Sequence, residues 1–177
     1  MNEVAKLVAN RVLAAHQKVR FQKDITLAME QTLLTLKNRQ PTAKEIAFAK
    51  AVLSDQPPNP LPRLAEAYAH RTLALANGPR EEEIVLQALR LGEVGITSIP
   101  CEVLCEIGLT LKAKSPLPQA TFTIELANGH NGYLPTPRQH ALGGYETWMG
   151  TCTLEILASE KIKKRLLKML GKVADSD

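Results

Sequence analysis

Between Val94 and Glu125 the chain reads strand, helix, strand, and that order constrains the fold more than any other feature. The stretch "EEEIVLQALRLGEVGITSIP" reads as two strands joined at Gly92-Glu93, with Ile84, Leu86 and Ala88 on one face of the first and Val94, Ile96 and Ser98 in the second; a hairpin is the simplest connection. In "CEVLCEIGLTLKAKSP" the residues Val103, Leu104, Ile107 and Leu111 recur at helical spacing until Ser115-Pro116 stops the run, so Glu102 is expected to open a helix at the end of a strand. "QATFTIELAN" then has the β-branched and aromatic composition of a buried strand. Two strands linked through a helix of this length favour parallel neighbours in one sheet. Glu102 and the loop after the second strand would then lie outside the carboxyl ends of two strands, where open α/β sheets place their ligands.

The rest of the chain supplies the layers around such a sheet. "NEVAKLVANRVLAAHQKV" carries Val4, Leu7, Val8, Val12 and Ala15 at amphipathic spacing, "DITLAMEQTLLTLK" alternates as an extended strand, and Thr42 with Glu45 marks the start of a short helix in "PTAKEIAFAKAVLSD". Four prolines between Gln56 and Pro62 stop any regular element. The chain restarts as the helix "RLAEAYAHRTLALAN", in which Tyr68 is read as packing and His70 as surface. The expectation is an α/β fold, a mixed sheet flanked by helices, over residues 1–177 as a single unit.

Charge narrows the choice of partners. The formal +4 is supplied by the C-terminal stretch, where Lys161, Lys163, Lys164, Arg165, Lys168 and Lys172 face only Asp175 and Asp177. In "LEILASEKIKKRLLKMLGK" the apolar stripe Leu154, Ala158, Ile162, Leu166, Met169 and Leu170 predicts a docked last helix with a solvated basic face; contact of that face with a membrane surface is the second reading. With no basic stripe interleaved with aromatics elsewhere, no nucleic-acid partner is expected. The three cysteines, Cys101, Cys105 and Cys152, do not read as a disulfide framework but as reduced thiols in apolar surroundings; with no apolar run of membrane-spanning length and with Glu3 and Lys6 near the start, the expected location is cytoplasmic.

One segment stands apart. "ELANGHNGYLPTPRQHALGGYE" places two tyrosines, two histidines and several glycines in a stretch that is neither a clean strand nor a clean helix, in a chain with 4% aromatic residues. A connection needs one glycine for its turn; this stretch reads as the wall of a site.

With "GEVGITSIPCEVLCEIGLTLKAKSP" and "TFTIELANGHNGYLPTPRQHALGGYE", residues 92 to 146 resemble the C-terminal part of the catalytic domain of the neutral/alkaline non-lysosomal ceramidase family. The likeness lies in the Pro-x-Glu step, the second strand, the Asn-Gly-x-x-Gly-Tyr turn and the Gly-Gly-Tyr-Glu that follows. It implies part of a zinc-dependent amidohydrolase cleaving the N-acyl bond of ceramide or a similar lipid amide, with Glu102 and Tyr133 as two of the zinc ligands and Asn128, Gly129, His130, Gly132 and Tyr145 lining the site. A carboxylate and a phenol are hard oxygen donors that suit this role.

The same residues have ordinary readings. An acidic residue in a first helical turn is favourable with no metal present, and a loop tyrosine can plug a core with its hydroxyl in water. The family's two zinc-binding histidines come from an earlier segment, and His16, His70, His130 and His140 do not stand in those motifs; Cys101 stands where a glycine is expected, and its spacing to Cys105 places the two thiols one helical turn apart. The resemblance therefore implies a site completed by a complementary chain carrying the earlier half, with no catalytic residue assigned within this one. The alternatives are a catalytically silent α/β binding or scaffold module, or a lipid-surface protein acting through its basic last helix.

Overall fold

The computed structural model of the chain describes residues 2–117 and 120–176. Of the positions used in the sequence reading, Met1, Gln119 and Asp177 lie outside those residues. In chain order the elements are α1 (Asn2–His16), β1 (Leu27–Lys37), α2 (Ala43–Val52), α3 (Ala65–Asn77), β2 (Glu81–Leu91), β3 (Val94–Ile99), β4 (Glu102–Val103), α4 (Cys105–Lys114), β5 (Ala120–Glu125), β6 (Tyr133–Leu134), α5 (Pro137–Leu142), a 3-10 turn (Tyr145–Thr147) and α6 (Ala158–Ala174).

The fold is mixed α/β. Strands run in the order β1-β2-β3-β5, with β1, β2 and β3 antiparallel and β5 parallel to β3, so the crossover through α4 has the parallel outcome expected of it. The β2–β3 hairpin turns at Gly92, whose φ of 59° suits a residue without a Cβ. Helix α2 begins with the capping box between Thr42 and Glu45.

The core lies on one face of this sheet. Alternation brings Leu36 of β1, Ile84, Leu86 and Ala88 of β2, and Thr97 and Ile99 of β3 to full burial. Helix α6 lies across them with Ile162, Leu166, Met169, Leu170 and Val173 buried, each large side chain contributing about 1.5–3 kcal/mol. The close approach depends on Gly95, where an added Cβ would stand 2.7 Å from Thr121 Oγ1 and 3.2 Å from Leu170 Cδ2. Arg90 donates to the carbonyls of Val173, Ala174 and Ser176 and so satisfies the end of α6. Leu154 belongs to the buried core but precedes the helix, bridging to Asn38.

The last helix is therefore docked, and its basic face is partly spoken for. Lys161 pairs with Glu155, Lys163 with Glu160 and Lys172 with Glu30, while Arg165 donates to Thr32 Oγ1. Its apolar stripe packs on the sheet. Among the described residues no helix is long and apolar enough to cross a membrane.

Several expectations need correction. Glu102 does not open a helix: it lies in β4, and α4 begins three residues later with Leu104 as its N-cap and Glu106 as the first-turn acid. Cys101 is consequently buried ahead of β4 while Cys105 is exposed at the start of α4, so the two are not neighbours on a helix and not all the thiols are in apolar surroundings. Strand β5 is not fully buried. It is an edge strand whose Phe122 and Ile124 point away from α6, together with Leu27, Met29 and Leu33 of β1 and Leu91 of β2, all between 39% and 67% exposed. This second face of the sheet is open. The amphipathic stripe of α1 forms as a helix but has no buried residue.

Candidate functional site

The chain leaves β3 at Ile99 and reaches β4 through Pro100 and Cys101, while the segment after β5 folds back beside it. Four backbone hydrogen bonds clamp the two: Ala127 N–H to Ile99 O, Asn131 N–H to Pro100 O, Leu126 N–H to Cys101 O, and Glu102 N–H to Gly132 O, at 2.8–3.3 Å. The result is a parallel ladder of two residue pairs in which Glu102 is the direct partner of Tyr133 and Val103 of Leu134. Side chains paired in this way project to the same side.

Gly132 makes the ladder sterically feasible. Its φ is 71°, and a Cβ there would stand 2.5 Å from Thr151 O, the carbonyl that accepts from Tyr133 N–H. A residue with a side chain would suffer both the left-handed conformation and the clash.

The site is built around this pair. The carboxylate of Glu102 faces the Tyr133 phenol, and that hydrogen-bonding pull, with desolvation second, pushes the phenol up to about 12. His130 Nε2 lies 3.6 Å from Glu102 Oε1, with the imidazole side chain 70% exposed and the carboxylate side chain 33%. Tyr145 meets the Tyr133 ring edge to face, Trp148 meets Tyr145, and Tyr68 from α3 meets Trp148, with centroids 5.4–5.7 Å apart. All three tyrosines and the one tryptophan of the chain thus form a single continuous stack beside the cleft. Tyr68 Oη and Thr151 Oγ1, 2.8 Å apart, tie its far end to the segment behind Tyr133.

The cleft so formed has a volume of about 610 Å³. Of the residues singled out in the sequence, Glu102, His130, Gly132, Tyr133 and Tyr145 line it. Asn128 and Gly129 do not. Asn128, at φ 67°, turns its amide toward Gln87 and Ser98 and fastens the turn to the sheet, and Gly129 lies against Pro100. Arg71 and Glu82 line the cleft from α3 and β2, with no signal in their local sequence; Gly150, whose added Cβ would stand 2.6 Å from Arg71 Cβ, gives the arginine its room. The stretch read as an irregular wall also contains β6 and the six-residue α5, opened by Pro137 and a capping box between Thr136 and Gln139.

Donor chemistry decides how a metal would fit. Glu102 and Tyr133, register partners across β4 and β6 that line the same cleft, carry two hard oxygens of the kind zinc accepts. Among the described residues no three His, Cys, Asp or Glu side chains converge, so a metal here would need the Tyr133 phenol among its donors, or further donors from outside these residues.

No protein-family model and no curated protein matches the chain. Solved structures do. The chain is similar to the neutral ceramidase of Pseudomonas aeruginosa, with a TM-score of 0.55 and 16% identity, over 84% of this chain and 28% of that one. It is also similar to a structure described as a ceramidase complexed with C2, with a TM-score of 0.46 and 17% identity, over 52% of this chain and 15% of that one. The likeness to the Pseudomonas enzyme is one of fold, and this chain spans little more than a quarter of that enzyme's length.

Proposed function

We propose that this chain forms part of a zinc-dependent amidohydrolase that cleaves the N-acyl bond of ceramide or a similar lipid amide, with Glu102 and Tyr133 as its metal-binding contribution. The observation that carries this reading is the direct pairing of Glu102 with Tyr133 across β4 and β6, at the carboxyl end of the β3–α4–β5 crossover. Zinc, when bound, would polarise an amide carbonyl and acidify a water. The residues of the chain do the holding. Gly132 permits the ladder, Tyr145 braces the Tyr133 ring from its edge, and Glu102 presents its carboxylate to the cleft. A separate groove of about 350 Å³, lined in part by Val103, Leu104, Leu109 and Phe122, begins at the residue after Glu102 and offers the apolar surface an acyl chain requires.

A covering layer and any further donors come, in this reading, from a complementary segment outside these residues. The open sheet face supports it: Leu27, Met29, Leu33, Leu91, Phe122 and Ile124 form an apolar surface of the kind that soluble monomers rarely leave uncovered. So does the fold comparison, since most of the Pseudomonas enzyme has no counterpart in this chain. The same open face favours a second reading, a silent scaffold that binds a partner and uses the Glu102–Tyr133 ladder only as a clasp.

Hydrolysis of a fluorogenic ceramide by the protein joined to its complementary segment separates the two. Turnover that needs zinc and falls at least about a hundredfold in both Glu102→Gln and Tyr133→Phe is the expected result. Turnover unchanged in both variants would exclude the assigned role, and absence of turnover in a zinc-loaded, assembled protein would favour the scaffold.

A further inference from the structure

The turn that delivers Tyr133 also delivers an imidazole. His130 precedes Gly132 by two residues, and the backbone between them is fixed on both sides: Asn131 N–H donates to Pro100 O, and Asn131 O accepts from Thr153 Oγ1. The ring is thus carried on a braced segment, with Nε2 3.6 Å from the same Glu102 carboxylate that faces Tyr133. All three side chains line the one cleft.

We propose that His130 Nε2 is a third metal donor, so that a single divalent cation is held within this chain by Glu102, Tyr133 and His130. This rests on the reading of the Glu102–Tyr133 pair as metal-binding. As a structural contact, the exposed His130–Glu102 pair has little to contribute, because water screens contacts between exposed polar groups. As a donor set, a carboxylate, a phenol and an imidazole supply the three protein ligands of an open zinc site, and the exposed side of the ring leaves room for a water in the fourth position. The cation would sit in the cleft that the three side chains share, beside the 3.6 Å gap between His130 Nε2 and Glu102 Oε1.

Zinc titration of the purified, untagged chain by calorimetry, with Co²⁺ absorption as a second readout, tests this. The expected result is one ion per chain, with affinity reduced at least about tenfold in His130→Ala and in each of Glu102→Gln and Tyr133→Phe, while the metal-free melting temperature of His130→Ala stays that of the parent. If His130→Ala binds as tightly as the parent while the other two variants lose affinity, the imidazole is not a donor and the proposed function stands. If the parent chain takes up no zinc at millimolar concentration, the three-donor site is overturned, and hydrolysis by the assembled protein alone decides the wider reading. If zinc binds but none of the three substitutions weakens it, both fall together.

Discussion

Tyr145 stands edge-on to Tyr133, with ring centroids 5.7 Å apart and planes at 78°. That contact is the nearest link of an aromatic stack that runs through Trp148 to Tyr68 on α3, and it fixes the ring whose oxygen faces Glu102. The electron-rich face of one ring against the positive edge of the next is worth about 0.5–1.5 kcal/mol beyond burial.

Tyr145→Ala should therefore lower stability by about 1 kcal/mol, a fall in melting temperature of roughly 2–4 °C, and should weaken zinc binding by loosening Tyr133. Tyr145→Phe keeps the edge contact and should restore both quantities. Thermal melts and zinc titrations of the two variants check this, and a melting temperature unchanged in Tyr145→Ala would show that the stack does not brace the site.

Two glycines with similar positive φ should behave differently. Gly132 and Gly143 have φ of 71° and 77°, but a Cβ at 132 would meet Thr151 O at 2.5 Å whereas one at 143 meets nothing within 4 Å. Gly143→Ala should cost about 1–2 kcal/mol, the backbone strain alone. Gly132→Ala should cost about 3 kcal/mol and disturb the ladder that pairs Glu102 with Tyr133. Denaturant unfolding of both variants measures the difference, and equal costs would contradict the geometry.

The thiols should separate cleanly. Burial pushes the Cys101 thiol up to about 12 and raises that of Cys152, while Cys105 is exposed at the start of α4. At neutral pH one thiol of the folded chain should react quickly with a thiol reagent, and Cys105→Ser should remove that reaction; all three should react after denaturation. Rapid modification of Cys101 in the folded state would contradict the packing of the segment that leads into Glu102.

Much of the scaffold was legible because its signals are local. The β3–α4–β5 crossover, the Thr42–Glu45 cap and the stripe from Ala158 to Leu170 each follow from spacing within one element. The site was less legible. Glu102 reads as a helix start because Val103, Ile107 and Leu111 keep helical spacing, yet two residues of that run are drawn into a ladder whose partner is some thirty positions away and which has no period of its own. Helix α5 carried a signal, Thr136-Pro137 with Gln139, but six residues are too few for periodicity to show it. Arg71 and Glu82 arrive at the cleft through tertiary packing alone. Composition makes β5 a strand; whether Phe122 is covered depends on a layer that composition does not describe.

Anomalous diffraction at the zinc edge, from crystals of the protein grown with zinc, locates the ion relative to Glu102 and Tyr133. A peak is expected about 2.0–2.2 Å from both a Glu102 carboxylate oxygen and the Tyr133 phenolic oxygen. A zinc peak bound elsewhere, with these two oxygens left free of metal, would contradict that expectation.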